Sequence, residues 1–213
     1  MNKRLIIGVL LLVVCVIGIT VGISEFLSYK KVSVVFKQPD LTVVIYSADK
    51  NKVTTISDSA VIKLKTGQYY YVSSNEKYTQ ENIYFTVVNN ESVEINPSYS
   101  YTYLLSLLKE QKTAIHTVLS AQYPTLNTNY IISDERLAHH GEWYSAKLIE
   151  RVSGGNEPDV YRVILENKNN SWSIAVKPRL VISSAEFPSI PKYIITQVNG
   201  PLSNEAYALL YPE

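Results

Sequence analysis

The sequence predicts three parts in line: a single N-terminal transmembrane helix, an all-β sandwich domain, and an α+β domain with one long helix packed on an antiparallel sheet. Three observations carry this division. An uncharged apolar run fills residues 5–23. Apolar and polar residues then alternate with a period of two. After Pro97 a helical spacing replaces the alternation, which returns further on. The parts are an anchor and stalk over 1–31, a sandwich over 32–97, and an α+β domain over 98–213.

The anchor is "LIIGVLLLVVCVIGITVGI", Leu5 to Ile23. Nineteen helical residues span about 28 Å, close to the roughly 30 Å of a bilayer's hydrocarbon core. A cleaved signal peptide is the rival reading, with Gly22 and Ser24 as small residues for a cleavage site, but its apolar region is usually only about 7–15 residues. Lys3 and Arg4 abut the run on one side, whereas the first charge beyond it is Glu25. This proximity places the N-terminus in the cytoplasm and the domains outside. Cys15, the single cysteine, falls within the run as an apolar residue, so the remaining chain can form neither a disulfide nor a thiolate metal site.

Lys and Arg total 20 against 19 Asp and Glu, a balance that gives no electrostatic reason to expect nucleic acid. The 17 Tyr outnumber the 4 Phe. Tyrosine joins a large apolar ring to a hydrogen-bonding tip and suits half-buried sheet faces and wet binding surfaces.

In the sandwich, five runs read as strands: "VSVVF", "LTVVIYSA", "AVIKLKTGQ", "YYYVSS" and "IYFTVVNN". Neighbours in a strand point to opposite faces, so Tyr69 and Tyr71 are expected inward and Tyr70 outward. Gly67 provides a turn before them. The pattern "IKLKTGQYYYVSSNEKY" followed by "IYFTVV" resembles the PEGA-type and carboxypeptidase-regulatory-like small β-sandwiches. Leu64, Gly67, Tyr69 and Tyr78 hold the matching places over residues 41–88, with Thr66 where a proline is usual. The resemblance implies a surface module without catalytic residues.

In the third part, Tyr101, Leu104, Leu105, Leu108, Ile115, Val118 and Leu119 fall at helical spacing. Ser98 or Ser100 can cap this helix of about 22 residues, and Pro124 stops it. Strands follow in "NYIIS", "GEWYSAKLIERV", "VYRVILENK" and "SWSIAVKP", with "RLVISS" as one more and "SGGNEPD" as a turn. A short helix runs from about Pro191 to Asn199 with Gly200 as its stop. The tail, through Tyr207, Leu210 and Tyr211, can dock on the domain or meet a partner. The stretch "YRVILENKNNSWSIAVKP", with the helix and the "GEW" strand before it, resembles the NTF2-like or cystatin-like fold over residues 98–183. That fold hosts enzymes, carriers and assembly modules and does not fix a function.

Chemistry is sparse. His116 lacks a second His four residues away. His139 and His140 stand together near Asp134, Glu135 and Glu142, but adjacent residues of a strand diverge, and a solvated turn accounts for them as well. There is no Gly-x-Ser-x-Gly elbow and no phosphate loop. No catalytic, cofactor-binding or metal-ligating residue and no cofactor is assigned. Two functions remain open. One is a non-catalytic binding or assembly module of the cell envelope, anchored in the membrane through residues 5–23 and meeting another envelope protein or polymer. The other is an anchored enzyme using His139, His140, Glu142 and Asp159 in a cleft of the α+β domain.

Overall fold

The structure, a computed structural model, describes residues 28–151 and 157–210, the side chains of residues 209 and 210 excepted. The expected anchor over 5–23, Cys15, most of the "SGGNEPD" turn and Tyr211 lie outside the described residues. Among the described residues no helix is long and apolar enough to cross a membrane. The chain divides into two compact units between Pro97 and Ser98. Both are rich in antiparallel sheet, and the described helices of eight residues or more lie in the second.

Among the described residues the first unit has seven strands: β1 (Tyr29–Phe36), β2 (Val43–Ser47), β3 (Lys52–Ile56), β4 (Ala60–Lys65), β5 (Gly67–Ser73), β6 (Ile83–Val87) and β7 (Glu91–Ile95). One sheet has the order β4-β1-β7 and the other β3-β2-β5-β6. Two expectations are corrected here. Tyr29–Lys31, assigned to the stalk, begin β1. The five strands are seven, because β3 and β7 are short, polar and at sheet edges, where one face and one backbone edge stay wet. All pairings are antiparallel except β1 with β7.

The corner "LKTGQY" carries the chain from one sheet to the other. β4 ends at Lys65, and β5 starts at Gly67 in the second sheet. Gly67 sits at φ 157°, and the Tyr69 hydroxyl reaches back to donate to the Lys65 carbonyl at 2.9 Å. Burial follows the alternation: Tyr69 and Tyr71 are buried with Val32, Val34, Leu64 and Val87, while Tyr70 lies on the outer face. Tyr78 is fully buried and donates to the Pro39 carbonyl at 3.0 Å.

The second unit opens with α1 (Tyr101–Gln122), followed by α2 (Leu126–Asn129), β8 (Tyr130–Ala138), β9 (Trp143–Glu150), β10 (Val160–Lys168), β11 (Ser171–Arg179), α3 (Lys192–Asn199) and α4 (Asn204–Leu210). Ser100 caps α1, its hydroxyl accepting from the Tyr103 N–H at 3.3 Å. The strands form one antiparallel sheet of order β11-β10-β9-β8. Asn169 and Asn170, at φ 53° and 61°, make the two-residue turn that closes β10 on β11 at Lys168–Ser171. "RLVISS" is not a strand: the chain leaves the sheet after Arg179, with Leu180 and Val181 exposed and Ile182 buried.

The sheet is covered on both faces. Leu108, Ile115 and Leu119 of α1 pack with Leu137, Tyr144, Leu148 and Leu165 on one face. Ile194, Ile195 and Val198 of α3 pack with Ala138, Trp143, Ile164 and Val176 on the other. Seven of the eight residues of β9 are therefore buried, Lys147 among them. Nor is the apolar stripe of α1 covered throughout, since Tyr101 and Leu105 stay 71% and 39% exposed.

Candidate functional site

Strand β8 positions the charged groups of the second unit. Its register against β9 shifts between Ser133 and Arg136, and Asp134 takes φ 51°. At this bulge the consecutive carboxylates Asp134 and Glu135 turn to opposite faces of the sheet. Glu135 turns to the α1 side, where its carboxylate accepts from Lys112 Nζ at 2.7 Å and from the Tyr144 hydroxyl at 2.9 Å and meets His116 Nε2 at 2.7 Å. Burial opposes its ionisation, but these partners outweigh burial and hold its pKa below the usual range. The Tyr144 hydroxyl is pushed well above its ordinary value by burial and by the adjacent Glu135 charge. Asp134 turns to the α3 side, 2.8 Å from Lys147 Nζ, and accepts from the Ser203 N–H at 3.2 Å. Lys147 also donates to the Pro201 carbonyl. Burial opposes Asp134 as well, and the Lys147 and Ser203 bonds hold its pKa low. Both clusters are clamps. Glu135 ties α1 to the sheet, and the Asp134–Lys147 pair ties down the chain leading into α4.

The histidines lie elsewhere. His139, His140 and Gly141, all at positive φ, make the turn from β8 to β9. His139 Nε2 is 3.4 Å from Glu142 at the exposed turn, while the His140 ring meets Tyr99 edge-on at 4.9 Å. Asp159 accepts from the Tyr161 hydroxyl at 3.4 Å, and its carbonyl pairs with Glu150, at the other end of β9. The structure thus brings His139 to Glu142 but not Asp159 to either. Among the described residues no group of three His, Cys, Asp or Glu is placed to hold a metal ion.

Two surfaces remain. On the outer face of the first unit, Tyr46, Tyr70 and Tyr84 form a ribbon across β2, β5 and β6. Ring centroids are 5.1 Å and 5.5 Å apart, the first pair stacked nearly parallel at 12° and the second tilted at 48°. The rings turn their faces to one another, so the ribbon is first of all cross-strand packing. Tyr84, on the edge strand, is 70% exposed.

The second surface is an apolar groove of about 690 Å³ in the second unit. Arg136, Leu137 and Ala138 at the end of β8, with His139 of the following turn, form its floor. Tyr101, Leu104, Leu105 and Leu108 of α1 form one wall, and Tyr193, Thr196 and Gln197 of α3 the other. Because the two helices cover opposite faces of the sheet, the groove runs along the sheet's open edge. Tyr193, 53% exposed, brings its hydroxyl beside the His139 backbone. Arg136 is exposed, and no ion pair reaches it among the described residues. Sequence reasoning missed Arg136 and Tyr193 as site residues. A separate cavity, of about 510 Å³, lies between Tyr123, Leu126, Tyr130, Leu148 and Tyr161.

Comparison of the chain with protein-family models, with curated proteins and with solved structures gives no match.

Proposed function

We propose that this chain is a non-catalytic binding protein of the cell envelope. In this reading residues 5–23 anchor it with the N-terminus in the cytoplasm. A PEGA-like sandwich and an NTF2-like or cystatin-like domain stand outside. The working surface is the groove of the second unit, which takes part of another envelope protein. The observation that carries the reading is the groove itself: Tyr101, Leu105 and Tyr193 leave large apolar side chains in water around a concavity of ligand size. Against an enzyme, the most buried carboxylates, Asp134 and Glu135, are held by structural partners, and Asp159 is remote from the histidines.

The test compares affinity purifications of the full-length protein from its native membranes, wild type against Leu105→Glu. A charge in the groove should remove a specific envelope protein from the recovered set while the melting temperature is unchanged. An identical set of partners from both proteins would overturn the reading, and recovery of a glycan polymer in place of a protein would redirect it to the tyrosine ribbon.

A further inference from the structure

The occupant of the groove can be read from its floor. β8 is the edge strand of its sheet, and among the described residues no strand pairs with its outer side. At the end of the strand the Ala138 carbonyl accepts from the Gly141 N–H at 3.1 Å, inside the hairpin. A trans peptide then turns the His139 N–H to the opposite, outer side, where the Tyr193 hydroxyl meets it. Peptide planes alternate along a strand, so the N–H and C=O of Leu137 both face that outer side. The groove therefore presents, beneath apolar walls, a donor and an acceptor on one residue. That is the pattern an extended peptide satisfies with two hydrogen bonds, and one that a helix, whose backbone groups are already bonded, cannot use. The walls sit on opposite faces of the sheet, so successive side chains of an added strand meet α1 and α3 in turn. Charge fixes the rest. Arg136 stands free at one end of the floor. Glu142 lies beside His139 at the other, about 10 Å away at roughly 3.3 Å per residue.

Building on the binding reading above, we propose that the groove takes an extended segment of a partner protein as a fifth strand along β8. The segment carries apolar side chains toward Leu105 and Tyr193 and a carboxylate toward Arg136.

The experiment selects peptides from a random peptide display library on the full-length protein in nanodiscs, with empty nanodiscs subtracted. The enriched sequences should carry adjacent apolar residues, one for each wall, and one Asp or Glu. Methylating the backbone nitrogen opposite Leu137 should weaken binding by about tenfold or more, the loss expected for a buried hydrogen bond to a rigid acceptor. Arg136→Glu should do the same, and changing the peptide acid to Lys should restore binding to that variant. Enriched peptides that tolerate every single N-methylation, or that keep their affinity with Arg136→Glu, overturn the strand-addition proposal. So does the absence of any enrichment. The failures are separable: if Leu105→Glu still abolishes capture of the native partner while no peptide is enriched, the groove binds a folded surface and only this proposal falls.

Discussion

Lys147 sits in the middle of a strand covered on both faces, with 4% of its side chain exposed beside an Asp134 at 8%. Removing one partner of such a pair leaves a charge buried without compensation, which typically costs about 3–5 kcal/mol. Lys147→Met should therefore destabilise the protein by that amount in urea unfolding. The double variant Lys147→Met with Asp134→Asn removes both charges, tolerates the φ of 51° and keeps an acceptor for the Ser203 N–H, so it should recover part of the loss. The tyrosine triplet offers a second test at this scale. Tyr71→Ala removes a buried ring and should cost about 3–5 kcal/mol. Tyr70→Ala removes two cross-strand contacts on the wet face, each worth about 0.2–1 kcal/mol, and should cost on the order of 1 kcal/mol. Equal losses in thermal melts would mean that the outer face is covered as tightly as the inner.

The hairpin of β8 and β9 turns at Gly141, which has φ 80° and lies against α1. A Cβ there would stand 2.6 Å from Leu107 Cδ2. Gly141→Ala combines left-handed strain of about 1–2 kcal/mol with that contact, and calorimetry should show a lower transition temperature. Gly141→Asn tolerates the φ but keeps the Cβ, so a remaining deficit in Asn reports the Leu107 contact alone. The same hairpin shows what is legible in a sequence. The tyrosine alternation, the 22-residue helix with its serine cap, and the Asn169–Asn170 turn depend on neighbours within a few residues and are written locally. β8 reads as ending at Ser133, because adjacent Asp134 and Glu135 break the alternation. Only the bulge, with a partner waiting on each face, lets the strand continue to Ala138. No residue near Lys147 in the sequence marks it as buried, because its cover arrives from Pro201, 54 residues on. The groove draws on residues near 101, 136 and 193 and forms no short motif; its floor exists because β8 is last in the sheet order, which no local pattern records.

Acid should separate the two units of the whole molecule. Among the described residues, the carboxylates held below their ordinary pKa by native partners are Asp134 and Glu135, and both lie in the second unit. A carboxylate depressed in the folded state contributes its full stabilisation above the unfolded pKa of about 3.9–4.3 and loses it as pH falls through the folded value. Protonation of Glu135 releases Lys112, His116 and Tyr144, which ties α1 less firmly to the sheet. Protonation of Asp134 leaves the buried Lys147 without its counter-ion, so both effects weaken the same unit in the same direction. Calorimetry of the full chain between pH 5 and pH 3 should therefore show one transition moving to lower temperature faster than the other. Glu135→Gln should lower that transition at pH 6 and flatten its fall below about pH 4, because part of the titration is gone. Parallel movement of both transitions would mean that the acid sensitivity is not seated in these two carboxylates. A single transition at every pH would mean that the units unfold together and share their stability despite separate cores.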